Sequence, residues 1–190
     1  MNLPNKLSVL RLIMIPVFVA VFYLTVIPYN YVIAASIFVL AAATDFLDGY
    51  IARKYNMVTD LGKFLDPIAD KVLVSTALIV MLVTPDGGQT ILPSYCAIAV
   101  AIILARELII SGFRMVAASK GKVIAADVSG KIKTFVQDVA IAVLLVAADV
   151  MPELYSVMNI IGLVLLGVAT LLTIISGTEC IVKNASVLKG

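Results

Sequence analysis

Asp45-Phe46-Leu47-Asp48-Gly49-Tyr50-Ile51-Ala52-Arg53, followed eight residues later by Gly62-Lys63-Phe64-Leu65-Asp66-Pro67-Ile68-Ala69-Asp70, sets four carboxylates into two otherwise apolar stretches. A solvated helix carries such groups freely. Inside a membrane an unpaired charge costs about 3 kcal/mol or more, so each of these side chains needs a partner or a task. At 3.6 residues per helical turn, Asp45, Asp48 and Ala52 share one face, and Gly62, Asp66 and Asp70 share another. The intervening turn is short, which predicts antiparallel neighbours whose four carboxylates converge at one end of the pair. Pro67 lies between the last two aspartates and is expected to disturb the helix there.

The surroundings of this stretch decide the setting. Hydrophobic residues make up 62% of the 190-residue chain, far more than one globular core of that length hides from water. Apolar runs occupy roughly 8–28, 31–53, 61–84, 92–118, 131–149 and 155–177, each near the length of about 20 residues that spans a hydrocarbon core. The runs are continuous rather than alternating, which favours helices over a barrel and predicts an all-α, polytopic membrane protein with six transmembrane helices. Turn chemistry separates them, as in Pro28-Tyr29-Asn30, Pro85-Asp86-Gly87-Gly88 and Pro152-Glu153, and the turns are short enough to predict a single domain over residues 1–190.

Charge gives the orientation. The 14 Lys and Arg residues fall before the first span, around the even-to-odd junctions or after the last span, whereas 28–31, 85–91 and 150–154 contain none. Both termini and the acidic junction are therefore expected on the cytoplasmic side of the cell membrane. The first span is too long for a signal-peptide core and lacks a small-residue cleavage site, so it is read as a retained helix. Cys96 and Cys180 are expected near opposite membrane faces, too far apart to pair, as small buried hydrophobes.

The chain has no histidine, which excludes His-based triads and imidazole metal sites. Clustered carboxylates repel unless cations intervene, and oxygen ligands without Cys or His select hard ions such as Mg²⁺ or Mn²⁺. Two such ions about 4 Å apart are the arrangement that clamps the attacking and leaving oxygens of phosphoryl displacement. The alternative is that the aspartates form structural ion pairs with Arg53, Lys63 and Lys71, which accounts for only one or two of them. Gly49 and Ala52 keep the acidic face free of bulk, and Arg53 offers a fork to a phosphate. Gly62 is open to two readings, a turn residue or a ligand contact.

Written as spacing, residues 45–70 read D-x-x-D-G-x-x-A-R-x8-G-x-x-x-D-x-x-x-D. This resembles the defining motif of the CDP-alcohol phosphatidyltransferase family, and six spans with the motif at the junction of the second and third extend the likeness to nearly the whole chain. The resemblance implies that Asp45, Asp48 and Asp66 bind two divalent ions, with Asp70 a shared ligand and the general base. It also implies that Asp48, Gly49, Ala52, Arg53 and Gly62 hold the CDP part of CDP-diacylglycerol. Pro4-Asn5-Lys6-Leu7-Ser8, followed by Arg11, is similar to the family's short amino-terminal interfacial segment, which brings Asn5 and Ser8 to the nucleotide. Ser8 stands where Thr is usual, and a hydroxyl survives the change. A helix cap and surface anchor is the competing reading of that segment.

For the second substrate the informative residues lie further along. Ala105-Arg106-Glu107-Leu108, then Arg114, then Gly130-Lys131-Ile132-Lys133-Thr134 concentrate positive charge toward the cytoplasmic side. An acceptor carrying its own phosphate requires such a concentration. The pattern resembles the phosphatidylglycerophosphate synthase branch of the family, which implies sn-glycerol 3-phosphate as acceptor and Arg106, Arg114, Lys131 and Lys133 as its phosphate ligands. Topology enforcement and attraction of anionic lipid headgroups are the other reading of these lysines, preferred for Lys120 and Lys122. Glu107 and Asp138 are expected to orient the cations rather than touch substrate.

The reaction so implied is direct displacement. The metals polarise the diphosphate and Asp70 takes the acceptor's proton, with phosphatidylglycerophosphate and CMP as products. Inositol phosphate or serine as acceptor, and a divalent-cation transporter with an acidic ion path, are the competing readings; a transporter predicts mid-membrane acids and repeated helices, and no repeat is found. The resemblance implies a homodimer among membrane lipids, and nothing in the sequence points to nucleic acid.

Overall fold

The structure is a computed structural model that describes residues 3–54, 60–83, 90–122, 124, 128–150 and 152–185, with side chains over 6–44, 68–83, 90–122, 124, 128–150 and 154–185. Six helices follow one another: α1 Leu3–Tyr23, α2 Asn30–Lys54, α3 Asp60–Met81, α4 Cys96–Ser119, α5 Val128–Ala147 and α6 Pro152–Lys183. The all-α expectation holds, and each apolar run corresponds to one helix. Among the described residues α1, α4 and α6 contain segments long and apolar enough to cross a membrane, and α2 contributes a shorter apolar stretch over Asn30–Thr44. The chain is thus a helical membrane protein.

Boundaries differ from the reading of the sequence for identifiable reasons. α1 ends at Tyr23 rather than near residue 28. The Asn30 side-chain amide there donates to the carbonyls of Phe22 (2.9 Å) and Val21 (3.5 Å), satisfying oxygens that another turn of helix would otherwise have used. Tyr29 takes a left-handed conformation, φ 59°, to bring Asn30 round. At the other end, residues 4–8 are the opening turns of α1, continuous with the span. α4 starts only at Cys96, because the preceding segment folds back and Leu92 N–H donates to the Met81 carbonyl at 2.9 Å. α6 runs to Lys183, beyond the expected end near 177, and α3 continues through Pro67 as one helical element.

α1 packs between α2 and α3, α2 also meets α5, and α6 lies against both α5 and α4. The shared core draws on all six helices, with Phe18, Phe38, Leu73, Ile103, Leu144 and Leu166 among its buried members. Away from the acidic junction, Phe18, Phe22, Phe38 and Tyr31 form an aromatic chain between α1 and α2 with centroids 5.2–6.2 Å apart. α5 packs tightly against α6 at Gly162, where an added Cβ would fall 2.5 Å from Leu144 Cγ. The first turn of α2 is tied to the end of α5 by Val32 N–H donating to Asp149 Oδ2 at 2.8 Å, which satisfies one of the unpaired donors of a helix start. Large aliphatic side chains such as Val157, Ile160, Val164 and Leu171 are exposed along α6, the surface a lipid environment requires and water does not tolerate in bulk. Cys96 and Cys180 are unpaired and buried, one opening α4 and the other near the end of α6.

Candidate active site

Spacing of four along three helices builds one cleft. On α3, Asp70 and Lys71 precede Val74 and Ser75 by a turn. On α4, Ile103 and Leu104 precede Glu107, and on α5, Lys133 and Thr134 precede Gln137. These side chains line a small cleft at the end of the bundle that carries the acidic motif.

Glu107 organises the cleft's electrostatics. Lys133 Nζ donates to Glu107 Oε1 in a short contact, Arg106 Nη1 lies 3.4 Å from the same oxygen, and Lys71 Nζ lies 3.8 Å from Oε2. Three cations from α3, α4 and α5 therefore share the Glu107 carboxylate. Lys133 is 1% exposed. A buried amine at membrane depth is tolerable only with such a partner.

Arg106 is held from a second side. Its Nη2 donates to Ser176 Oγ on α6 at 2.9 Å, and its aliphatic stem lies over Gly177, where an added Cβ would come within 3.0 Å of Arg106 Cγ and 3.3 Å of Nε. Glycine at that position lets the guanidinium stem lie flat against α6.

On the α1 side, Arg11 is fully buried and its Nε donates to the Ala41 carbonyl of α2 at 3.2 Å, with Thr44 Oγ1 at 3.5 Å. Thr44 immediately precedes Asp45, so Arg11 braces α2 at the point where the acidic motif starts. Ser8, one turn before Arg11, is also fully buried.

The expected site residues are distributed as follows. α2 carries Asp45, Asp48, Gly49, Ala52 and Arg53 in its last three turns, and α3 carries Gly62, Asp66 and Asp70 in its first three. Of these only Asp70 has its side chain among the described residues, and it lines the cleft. The side chains of Asp45, Asp48, Ala52, Arg53, Asp66 and Asn5, and the surroundings of Gly49 and Gly62, lie outside them. Lys133 and Arg106 are brought together through Glu107. Arg114, two turns beyond Arg106 on α4, is half-buried, and its Nε has no hydrogen-bond partner among the described residues. Lys131 is exposed and is not part of the cleft lining. Lys71, expected as a partner for the aspartates, reaches Glu107 as well.

Gln137 is absent from the sequence-based expectation, as are Ser176 and Gly177. The signal for Gln137 was present: a lone amide in the apolar run Thr134-Phe135-Val136-Gln137-Asp138-Val139-Ala140, one turn after Lys133. Ser176 and Gly177 carry no such signal, because their role depends on where α4 crosses α6.

Among the described residues no group of three or more carboxylate or thiol side chains is placed to hold a metal ion, and of the four aspartates expected as ligands Asp70 is the one whose side chain is described, facing the cleft.

Comparison with known proteins adds the rest. Residues 1–175 match the family model described as CDP-alcohol phosphatidyltransferase. The chain is 40% identical to the CDP-diacylglycerol–glycerol-3-phosphate 3-phosphatidyltransferase of Bacillus subtilis (strain 168), over 99% of this chain and 97% of that protein. It is 40% identical to the protein of the same name from Rickettsia bellii (strain RML369-C), over 93% and 91%. The likeness to its namesake in Shigella flexneri serotype 5b (strain 8401) is 41%, over 91% and 89%.

Proposed function

Since this chain belongs to the CDP-alcohol phosphatidyltransferase family, we propose that it transfers a phosphatidyl group from CDP-diacylglycerol to sn-glycerol 3-phosphate, giving phosphatidylglycerophosphate and CMP. The observation that carries the reading is the cleft itself. Its lining includes Asp70, a carboxylate from the acidic motif, together with Lys71 and Lys133, and Glu107 pairs with both of these lysines and with Arg106. An alcohol that bears its own phosphate meets both of its needs there, a base for its hydroxyl and positive charge for its phosphate. The names of the relatives from three genera support the same acceptor.

In this reading Asp70 takes the proton from the acceptor hydroxyl as its oxygen attacks the phosphorus that carries the diacylglycerol, and CMP departs. Lys133 and Arg106 bind the acceptor phosphate, which exchanges places with Glu107 as their counterion; Arg114 and Lys131 add to the local positive potential that draws the anion in. Glu107 holds the cations in place when no acceptor is bound. Two divalent ions, Mg²⁺ or Mn²⁺, held by Asp45, Asp48, Asp66 and Asp70 would neutralise the diphosphate and stabilise the leaving group. Asn5, Ser8, Asp48, Gly49, Ala52, Arg53 and Gly62 form the nucleotide end of the site, with Arg11 fixing α1 to α2 beside it. Both termini and the cleft face the cytoplasm on the positive-inside pattern, and the enzyme works as a homodimer in the cell membrane.

The test is an acceptor assay on the purified protein in lipid vesicles. CDP-diacylglycerol is supplied with sn-glycerol 3-phosphate, inositol phosphate or serine, with Mg²⁺, Mn²⁺ or a chelator, and the lipid product is identified by mass. Phosphatidylglycerophosphate formed only with metal is the expected result. A different lipid product would replace the acceptor, and absence of CMP with every alcohol and metal would end the proposal. Asp70→Asn is expected to bind CDP-diacylglycerol while losing at least about a thousandfold in turnover.

A further inference from the structure

Gln137 is 1% exposed, and its Oε1 has no hydrogen-bond partner among the described residues although the side chain lines the cleft. An amide oxygen sealed from water without a donor is costly, and such atoms in native proteins are satisfied by a ligand or an ordered water. From this geometry we infer that Gln137 is a specificity-determining residue that accepts a hydrogen bond from the second hydroxyl of the acceptor, the one that does not react. The inference rests on the proposed acceptor chemistry and deepens it.

Three features of the cleft narrow the ligand group. A carbonyl oxygen only accepts, and phosphate oxygens near neutral pH also accept, so the acceptor's phosphate is no partner for Gln137 Oε1. An ammonium group donates, but Lys133 lies one turn away on the same face of α5 with Arg106 and Lys71 close by, and these repel a cation. A hydroxyl donates without charge. One helical turn also separates Lys133 from Gln137 by a rise of about 6 Å, a distance that a three-carbon phosphate ester bridges with its phosphate at the lysine and its middle hydroxyl at the amide. Thr134, between them in sequence, has its own hydroxyl turned back to the Gly130 carbonyl at 3.1 Å. Ser75, on the opposite wall, is the cleft's other hydroxyl-bearing side chain among the described residues.

Such an arrangement selects by exclusion. A site whose buried acceptor atom is satisfied only by the correct substrate penalises the analogue that lacks the hydroxyl, because binding that analogue seals the oxygen away from water with no donor.

The experiment compares sn-glycerol 3-phosphate with 3-hydroxypropyl phosphate, which keeps the phosphate and the reacting primary hydroxyl and lacks only the middle one. The readout is the ratio of kcat/KM for the two acceptors, measured in vesicles with CDP-diacylglycerol. The wild type is expected to prefer the triol-derived ester by at least about tenfold. Gln137→Met and Gln137→Leu, two apolar replacements of different shape, are expected to bring that ratio to within about threefold of unity. Gln137→Glu keeps an acceptor oxygen and is expected to hold the ratio near the wild-type value even where its added charge slows both acceptors. A lowered overall rate with the ratio intact in the apolar variants would mean a packing role and overturn the inference, as would a wild type indifferent to the middle hydroxyl. In both of those cases the wild type still makes phosphatidylglycerophosphate. A wild type that makes no lipid from either acceptor instead removes the parent proposal, and this one with it.

Discussion

Lys133 on α5 donates to Glu107 on α4, and each supplies the countercharge that makes the other's burial tolerable. Neither helix explains the pair alone. Glu107 also holds Arg106 and Lys71, so one carboxylate joins three of the helices that wall the cleft.

Removing one partner should therefore cost more than removing both. Glu107→Gln is expected to destabilise the protein by about 3 kcal/mol, the low end for a broken buried pair because the cleft admits water. Glu107→Gln combined with Lys133→Met should recover most of that loss while acceptor turnover stays at least about tenfold down. Thermal unfolding in detergent, paired with the acceptor assay, gives both readings. A double variant no more stable than Glu107→Gln would show that the pair is not coupled.

Gly177→Ala tests the seat of Arg106. The new methyl would stand 3.0 Å from Arg106 Cγ and 3.3 Å from Nε, so the side chain must lift and weaken its 2.9 Å bond to Ser176. A rise of about three- to tenfold in the KM for the acceptor is expected, with CDP-diacylglycerol binding unchanged. Ser176→Ala should produce a smaller change in the same direction, since it removes one hydrogen bond and leaves the stem in place.

Gly162→Ala tests the tight contact of α5 with α6. An added Cβ would overlap Leu144 at 2.5 and 2.6 Å, and overpacking of this kind costs about 1–3 kcal/mol. Leu144→Ala alone leaves a cavity and should cost at least as much. The double variant is expected to be clearly more stable than the sum of the two single losses, as read by a thermal double-mutant cycle. Simple additivity would argue against contact between the two positions.

Asp149→Ala addresses the end of the bundle away from the cleft. Loss of the acceptor for Val32 N–H should cost about 1 kcal/mol. Kinetic constants for both substrates should stay within twofold, because Asp149 touches no part of the cleft. A large drop in kcat with unaltered stability would contradict the separation of the two ends.

Much of the fold was readable because the bilayer enforces it: long apolar runs parted by Pro, Gly and Asn become helices and turns, and the six elements stand in the order the runs predict. Helix ends were less legible, since α1 stops where Asn30 reaches back to Phe22, a contact between residues that periodicity does not connect. Of the acidic motif, Asp70 lines the cleft. One distinction among the lysines was available and went unused: Lys131 and Lys133 are two residues apart, about 200° around a helix, so they cannot both face inward. Lys133 does, and Lys131 is exposed. Glu107 was expected to orient the cations and pairs with Lys133 and Arg106, whereas the positions of Ser176 and Gly177 depend on how α4 lies against α6, which no local pattern encodes.

The pairing of Lys133 also bears on how α5 is held in the bundle. α5 is described throughout, yet it is not among the helices apolar enough to qualify as a span by itself, whereas α4 and α6 on either side of it in sequence are. Within α5 itself Asp138 is the one carboxylate near Lys133, so the burial of this lysine is completed only where Glu107 of α4 packs beside it.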